Sequence, residues 1–241
     1  MSNKILVLNG RSYGNVAEGL GELVYRPYDF FSDPNSFKLI LFTGGEDVSP
    51  ELYGDTSPRY FCGNNKERDI EEKYVFDLAK ACGIKMTGIC RGVQFLNVMS
   101  GGRMMHDITN HGGRYHTMIT SVGLSIRVNS YHHQMILPAE DAEVIGWSDE
   151  RLSKHYIGNM DAPVVYKGKE NEAAIFPKTK AFGVQYHPES MPEDSDGYDY
   201  YRKMIINALE LPWEEFVTAY TKGLENVEFF TMRKHGSTTT G

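Results

Sequence analysis

Cysteine is scarce in this 241-residue chain, which holds only Cys62, Cys82 and Cys90. Three thiols make no disulfide framework, and none pairs as C-x-x-C, which sets aside zinc-ribbon and thioredoxin-like chemistry. In a reducing compartment they stay free, and one is available as a nucleophile. Long apolar runs are also missing. No stretch approaches the roughly 18 apolar residues of a membrane span. The opening run Ile5-Leu6-Val7-Leu8 is too short for a signal-peptide core and precedes no small-residue cleavage site. The expectation is a cytoplasmic protein with no membrane partner. Positive charge is in deficit, with 25 Lys and Arg against 32 Asp and Glu for a net charge of −7. That argues against nucleic acid as a partner, since phosphate binding needs clustered cations. A local basic patch for a phosphorylated substrate stays compatible with this balance. What is present, 41% hydrophobic and 24% charged residues with no repeat or linker, fits one globular domain over residues 1–241. The tail over about 225–241 is expected to fray.

Three apolar runs stop abruptly at a glycine or a reactive residue. Lys4 to Leu8 ends at Asn9-Gly10, Phe37 to Phe42 ends at Thr43-Gly44-Gly45, and Ile84 to Ile89 ends at Cys90. Unalternating runs of this kind are buried on both faces, as parallel strands are, and such strands deliver their loops to one sheet edge. Arg68 to Cys82 carries helical apolar spacing, and so does Arg91 to Met99, which begins directly after the third strand and breaks at Gly101-Gly102. The second half is less parallel in character. Thr120 to Asn129 alternates, Ala142 to Trp147 and Val164 to Tyr166 are short strand candidates, and Ala173 to Phe176 and Ala181 to Tyr186 close the series. Asp199 to Leu209 and Trp213 to Gly223 have helical spacing. The expected fold class is α/β, with a mostly parallel central sheet flanked by helices and additional antiparallel strands.

A thiol between a buried strand and a helix has its chemistry prepared for it. The turn projects the side chain, while the free N–H groups and dipole of the helix start favour negative charge on sulfur. Gly88 and Gly92 stand two residues either side of Cys90, where small residues permit the strained turn of a nucleophile elbow. The competing explanation is a buried cysteine between packing glycines. A second segment, Gly183-Val184-Gln185-Tyr186-His187-Pro188-Glu189, places a histidine just past another apolar strand. A thiol needs an imidazole to take its proton and return it to a leaving nitrogen, and the imidazole needs a carboxylate to hold its tautomer. Cys90, His187 and Glu189 therefore form the candidate catalytic set.

The segments that carry these residues resemble a known family. Thr43 through Pro50 with Tyr53-Gly54, Arg68-Asp69-Ile70-Glu71, Gly88 through Gln94, Asn129 through Gln134 and Gly183 through Glu189 are similar, in order, to the class I glutamine amidotransferase-like superfamily. Within it they look like the γ-glutamyl hydrolase branch that includes γ-glutamyl-γ-aminobutyrate hydrolases. The resemblance implies a flavodoxin-like fold, with Cys90 as nucleophile, His187 as base and Glu189 as orienting acid. It implies oxyanion-hole N–H groups from Gly45 and Arg91, which agrees with the freedom of a Gly-Gly turn and with the position just after an elbow nucleophile. For the Arg91 side chain, a substrate carboxylate and a salt bridge are equal alternatives. By resemblance Gln94 fixes the glutamyl backbone end, where the plain alternative is a polar residue bonded inside the fold. Also by resemblance, Ser130 and Tyr131 lie against the glutamyl α-amino and α-carboxylate groups, with His132 or His133 near the pocket.

No metal or cofactor is expected. His106, His111 and His116 are spaced five apart, which suits no single helix face, and the adjacent His132 and His133 point to opposite sides of a strand. The Gly10 to Asn15 segment lacks phosphate-binding patterns and reads as a turn or a lip of the pocket. The expected function is hydrolysis of a γ-glutamylated small molecule through a γ-glutamyl thioester, releasing glutamate and an amine. The amine is open among polyamine-like, aminobutyrate, ethanolamine-like and nucleotidyl groups, with selection falling to the loops Gly10 to Asn15 and Tyr53 to Asn65. One alternative is the glutaminase component of an amidotransferase that passes ammonia to a synthase partner. Another is a catalytically silent binding or scaffold protein. A homo-oligomer is compatible with all three.

Overall fold

The computed structural model describes residues 3–56 and 60–230. The chain opens with β1 (Lys4–Leu8), β2 (Glu22–Val24), the short α1 (Pro27–Ser32), β3 (Phe37–Phe42), α2 (Lys66–Cys82), β4 (Lys85–Ile89) and α3 (Arg91–Met99). Short strands follow: β5 (Arg103–Met105), β6 (Asp107–Ile108), β7 (Gly112–Thr120), β8 (Ser125–Tyr131), β9 (Met135–Leu137), β10 (Glu143–Ser148) and β11 (Tyr156–Ile157). β12 (Asn171–Phe176), β13 (Ala181–Val184), α4 (Asp196–Glu210) and α5 (Trp213–Lys222) complete it.

Nine strands form one sheet in the order β2-β1-β3-β4-β13-β12-β10-β7-β8. The first four pairings, up to β4 with β13, are parallel. The remaining four are antiparallel, so the sheet is evenly mixed, with a larger antiparallel half than the expected few additions. β1, β3 and β4 are neighbours as expected, and their sequences show why. Ile5, Val7, Leu39 and Leu41 enter the core on one face, while Leu6, Leu8, Ile40 and Phe42 enter the core on the other. α4 and α5 cover the first face with Tyr201, Ile205 and Phe216, and α2 and α3 cover the second with Val75, Phe76 and Phe95. A strand buried on both faces has no polar face to show, hence the unbroken apolar run.

Two helices carry explicit start and stop signals. Asn65 caps α2 by accepting from Arg68 N at 3.1 Å, and Gly83 ends it at a φ of 68°. Ser195 caps α4.

Three expectations differ from the structure. Thr120 to Asn129 is not one strand: Thr120 ends β7, and the chain turns through Gly123 at a φ of 82° before β8 begins at Ser125. The alternation of Val122 and Leu124 belongs to that hairpin turn, which Thr120 holds by accepting from Gly123 N at 3.0 Å through its carbonyl. Val164 to Tyr166 makes no strand; Pro163 interrupts the ladder after one bridge to Ile157, and Val165 points into solvent. Residues 225–230, included in the stretch expected to fray, are packed. Phe229 packs edge-on against Tyr220, Phe230 lies beside Tyr200, and Asn207 donates to the Glu228 carbonyl at 3.0 Å. Residues 231–241 lie outside the described chain, as do residues 57–59 of the Tyr53 to Asn65 loop.

Candidate active site

β3, β4 and β13 are consecutive neighbours running the same way, so the segments after their carboxyl ends emerge together. Those segments hold Thr43-Gly44-Gly45, Cys90 and His187. Residues spread over more than 140 positions are thereby brought to one edge by strand order alone.

Cys90 occupies a sharp turn at φ 52° and ψ −110°, a conformation that non-glycine residues rarely adopt. Its N–H still belongs to the sheet, donating to Val184 O at 2.8 Å, while its carbonyl already accepts from Gln94 N at 3.2 Å in the first turn of α3. The flanking glycines make this turn buildable. A Cβ on Gly88 would overlap the Gly92 and Val93 backbone, and one on Gly92 would overlap the Phe42 carbonyl. The thiol is buried.

His187 interacts electrostatically with Cys90, and its Nδ1 lies 2.7 Å from Glu189 Oε1. Since a carboxylate accepts, Nδ1 carries the proton. Burial alone would lower the imidazole pKa; the interactions with Cys90 and Glu189 outweigh it and raise the pKa to about 10. Asn129, on β8, clamps the His187 backbone from both sides, accepting from its N–H at 2.8 Å and donating to its carbonyl at 2.9 Å. Asn15 donates to the Glu189 carbonyl at 2.8 Å. Tyr13 lies 6.3 Å from the His187 ring centre, so the Gly10 to Asn15 segment borders the site. Burial, followed by the charge of Glu189, holds the Tyr13 phenol well above its usual range, so it stays protonated.

Gly45 has a φ of 139°, and a Cβ there would overlap the Arg68 guanidinium; one on Gly44 would meet Tyr13 and the His187 ring. The Gly-Gly turn is thus pressed against the histidine. Arg68 fixes it from behind by donating to Gly44 O at 3.0 Å and Thr43 O at 2.9 Å. Arg68 also pairs with Glu72 at 2.8 Å. The Arg91 side chain, for which two roles were open, is buried and forms salt bridges with Asp69 and Glu72. Asp69 further accepts from Ser49 N at 3.0 Å, and Glu72 from Asn9 at 3.0 Å. One face of α2 therefore ties together the loops after β1, β3 and β4. Glu72 was missed by sequence reasoning. Its signal was weak: an acid one turn beyond Arg68, on a helix whose acids Glu67, Glu71 and Asp77 face water.

The residues expected to hold the glutamyl end are distributed unevenly. Gln94 is buried and donates to Gln185 Oε1 at 3.2 Å, a bond inside the fold. Ser130 is buried and donates to His111 O at 2.7 Å. Tyr131 is exposed and meets the His187 ring edge-on at 6.0 Å between centres. His132 turns inward, with Nδ1 2.9 Å from Gln134 O. His133 turns outward between Asp47 and Asp107, at 3.2 and 3.1 Å, and so lies beside the loop that follows Gly45. Asp47 raises its pKa above the usual value.

Comparison with known proteins agrees with this fold. The Peptidase C26 family model matches residues 35–122, which include Gly45, Cys90, Arg91 and Gln94 and stop before His187. "Protein NtpR" of Enterococcus hirae is 27% identical over 63% of this chain and 66% of its own length. "Putative glutamine amidotransferase-like protein YvdE" of Lactococcus lactis is 31% identical over 40% of this chain and 50% of its own. The chain thus spans about half to two thirds of the curated relatives it matches. A glutamine amidotransferase from Thermotoga maritima superposes with a TM-score of 0.51 at 16% identity, covering 89% of this chain and 86% of that one. The fold is that of class I glutamine amidotransferase structures. Among the described residues, no helix is long and apolar enough to cross a membrane.

Proposed function

We propose that this chain hydrolyses a γ-glutamyl amide, with Cys90 as nucleophile, His187 as acid and base, and Glu189 as the group that orients His187. The observation that carries this is a buried Cys90 on a strained elbow, grouped with His187, whose Nδ1 lies 2.7 Å from Glu189 Oε1, at the edge of three parallel strands. The Cys90 sulfur, its proton passed to His187, attacks the γ-carbonyl, and the charge that develops on oxygen is met by the N–H groups of Gly45 and Arg91. Loss of one such donor costs about 3 kcal/mol in the transition state. The C–N bond breaks as His187 returns the proton to the leaving nitrogen, and the amine departs. Water, deprotonated by His187, then attacks the thioester, and glutamate leaves as the sulfur is released.

Arg91 has two separate roles in this scheme: its backbone N–H faces the oxyanion, while its side chain is consumed by Asp69 and Glu72. Recognition of the glutamyl α-groups falls to the surface around Tyr131 and His133, which are exposed next to His187 and the Gly45 loop, more than to the buried Gln94 and His132.

A second proposal, the glutaminase component of an amidotransferase working with a synthase partner, draws on the glutamine amidotransferase-like names of relatives. Glutamate release from a panel of γ-glutamyl amides and from glutamine, by the purified chain alone, separates the two. The hydrolase requires at least one amide to be cut faster than glutamine without a partner. It also requires Cys90→Ala to lose turnover by roughly 10⁵-fold or more. Full hydrolysis by Cys90→Ala would end both proposals.

A further inference from the structure

Behind the catalytic strand, on the antiparallel half of the sheet, His111, His132 and Glu172 converge although they come from the segment before β7, the end of β8 and β12. Their nitrogen and oxygen atoms all lie within 4.8 Å of one another, and all three side chains are buried. His111 Nδ1 is 3.6 Å and His132 Nε2 is 3.9 Å from Glu172 Oε1. Donors about 2.0 Å from a tetrahedral zinc ion stand roughly 3.4 Å apart, so the two separations to Glu172 are within a few tenths of an ångström of that spacing, and the widest separation, at up to 4.8 Å, would have to draw in by up to about an ångström and a half.

The proton positions point the same way. His132 Nδ1 faces the Gln134 carbonyl at 2.9 Å, and a carbonyl only accepts, so Nδ1 carries the hydrogen. The lone pair of His132 is then on Nε2, aimed at Glu172. His111 Nε2 faces the Glu170 carboxylate at 3.1 Å, which likewise places the hydrogen there and the lone pair on Nδ1. Glu170 is anchored as an anion by Leu152 N at 2.8 Å, Ser153 N at 2.9 Å and the Tyr156 hydroxyl at 2.7 Å. An imidazole whose far nitrogen donates to a carboxylate or a backbone carbonyl is the outer-shell arrangement of metal-bound histidine.

His111 Nδ1 has the Ser130 hydroxyl at 3.2 Å, a group that already donates to the His111 carbonyl, whereas His132 Nε2 and the Glu172 carboxylate lack a directed donor. His132 Nε2 and both Glu172 oxygens are buried without a hydrogen-bond partner among the described residues. His116 Nε2 comes within 3.0 Å of Glu172 Oε1, but too far off line for a directed hydrogen bond. Buried acceptors left facing each other cost free energy unless a cation lies between them.

We propose that His111 Nδ1, His132 Nε2 and Glu172 bind a divalent first-row metal ion of the zinc type, with Glu170 and the Gln134 carbonyl as outer-shell partners and His116 beside Glu172. Two imidazoles and one carboxylate are a borderline nitrogen and oxygen donor set that suits such an ion and not calcium or magnesium. The site is structural. Gln185 N donates to Glu172 O at 2.7 Å, so the ion would brace β12 against the strand that leads to His187, and it takes no part in the hydrolysis proposed above. Sequence spacing gave no sign of it, because the ligands come from separate segments and only the sheet brings them together.

The test is elemental analysis of untagged protein expressed with added zinc or cobalt and dialysed against metal-free buffer. About one ion per chain is expected, with nitrogen and oxygen ligands including imidazole in X-ray absorption at the metal edge. Glu170→Gln, which removes an outer-shell charge, should weaken affinity about 10- to 100-fold in competition with a chromogenic chelator. His132→Gln should abolish stoichiometric binding. Should that variant fail to fold, the wild-type absorption spectrum decides. Metal-free protein whose melting temperature ignores added zinc and cobalt, sulfur ligands at the edge, or retention of the ion by a folded His132→Gln would each overturn the site. Loss of γ-glutamyl hydrolysis in the wild type would leave it standing.

Discussion

In the proposed mechanism the Glu189 carboxylate acts indirectly: it touches His187 and no reacting atom, and would hold the proton on Nδ1 so that Nε2 serves sulfur. Glu189→Gln should therefore damage turnover by roughly one to two orders of magnitude less than Cys90→Ala, read as kcat on whichever amide the wild type cuts. Equal loss in the two variants would mean that Glu189 does more than orient. His187 also makes stability depend on pH. Its pKa in the folded protein is raised to about 10, from 6.5 as ordinary histidine. A group raised on folding contributes stability fully below its unfolded value, and the contribution is lost as pH rises through the folded value. The melting-temperature gap between the wild type and His187→Gln should be widest near pH 6 and should narrow toward pH 10. A gap that widened with pH would mean that the imidazole is neutral in the native state.

Helix α2 matters through a few side chains on its first turns. Arg68, Asp69 and Glu72 connect the loop after β3 to Arg91 at the start of α3, so the helix that covers one sheet face also sets the distance between the two proposed oxyanion donors. Arg91→Met keeps the backbone N–H but leaves the buried Asp69 charge without its cation and Glu72 with Arg68 alone, and breaking a buried pair in this way typically destabilises by about 3–5 kcal/mol. Thermal or urea denaturation should register that loss, and residual hydrolysis should fall through kcat as the elbow loosens. A variant as stable as the wild type would mean that water or a shifted Arg68 replaces the guanidinium. This network was half legible. Arg68 and Asp69 stood out in the sequence as a motif, but their partner Arg91 lies 22 positions from Asp69, and only the docking of α2 shows that the pair closes. The elbow was legible because its constraint is local: Cys90 needs small residues two positions away, and the sequence supplies them. The hairpin at Gly123 was not, since Val122 and Leu124 continue the alternation of β8 straight through the turn.

Across the whole molecule, legibility follows the change from parallel to antiparallel pairing. The parallel half could be read from β1, β3 and β4 because burial on both faces leaves only apolar residues, whereas β7 carries Gly112, Arg114 and Tyr115 on an exposed stretch that resembles a loop. The His111, His132 and Glu172 cluster lies in that less legible half. The halves are nevertheless joined by a continuous ladder, β4 pairing with β13 and β13 with β12, and one core layer runs from Ile5 and Leu41 to Met118, Ile126 and Ile145. Neither half has a separate core on that face, so they should unfold together. Both tryptophans report on the far side of the join from β1 and β3: Trp147 is on β10, and Trp213 stacks on Phe216 in α5. In a urea titration, tryptophan fluorescence and the amide-exchange protection of β1 and β3 should lose their native signals at the same midpoint. An earlier fluorescence transition, with β1 and β3 still protected, would show the antiparallel half to be a separate cooperative unit and would break the single-domain assignment.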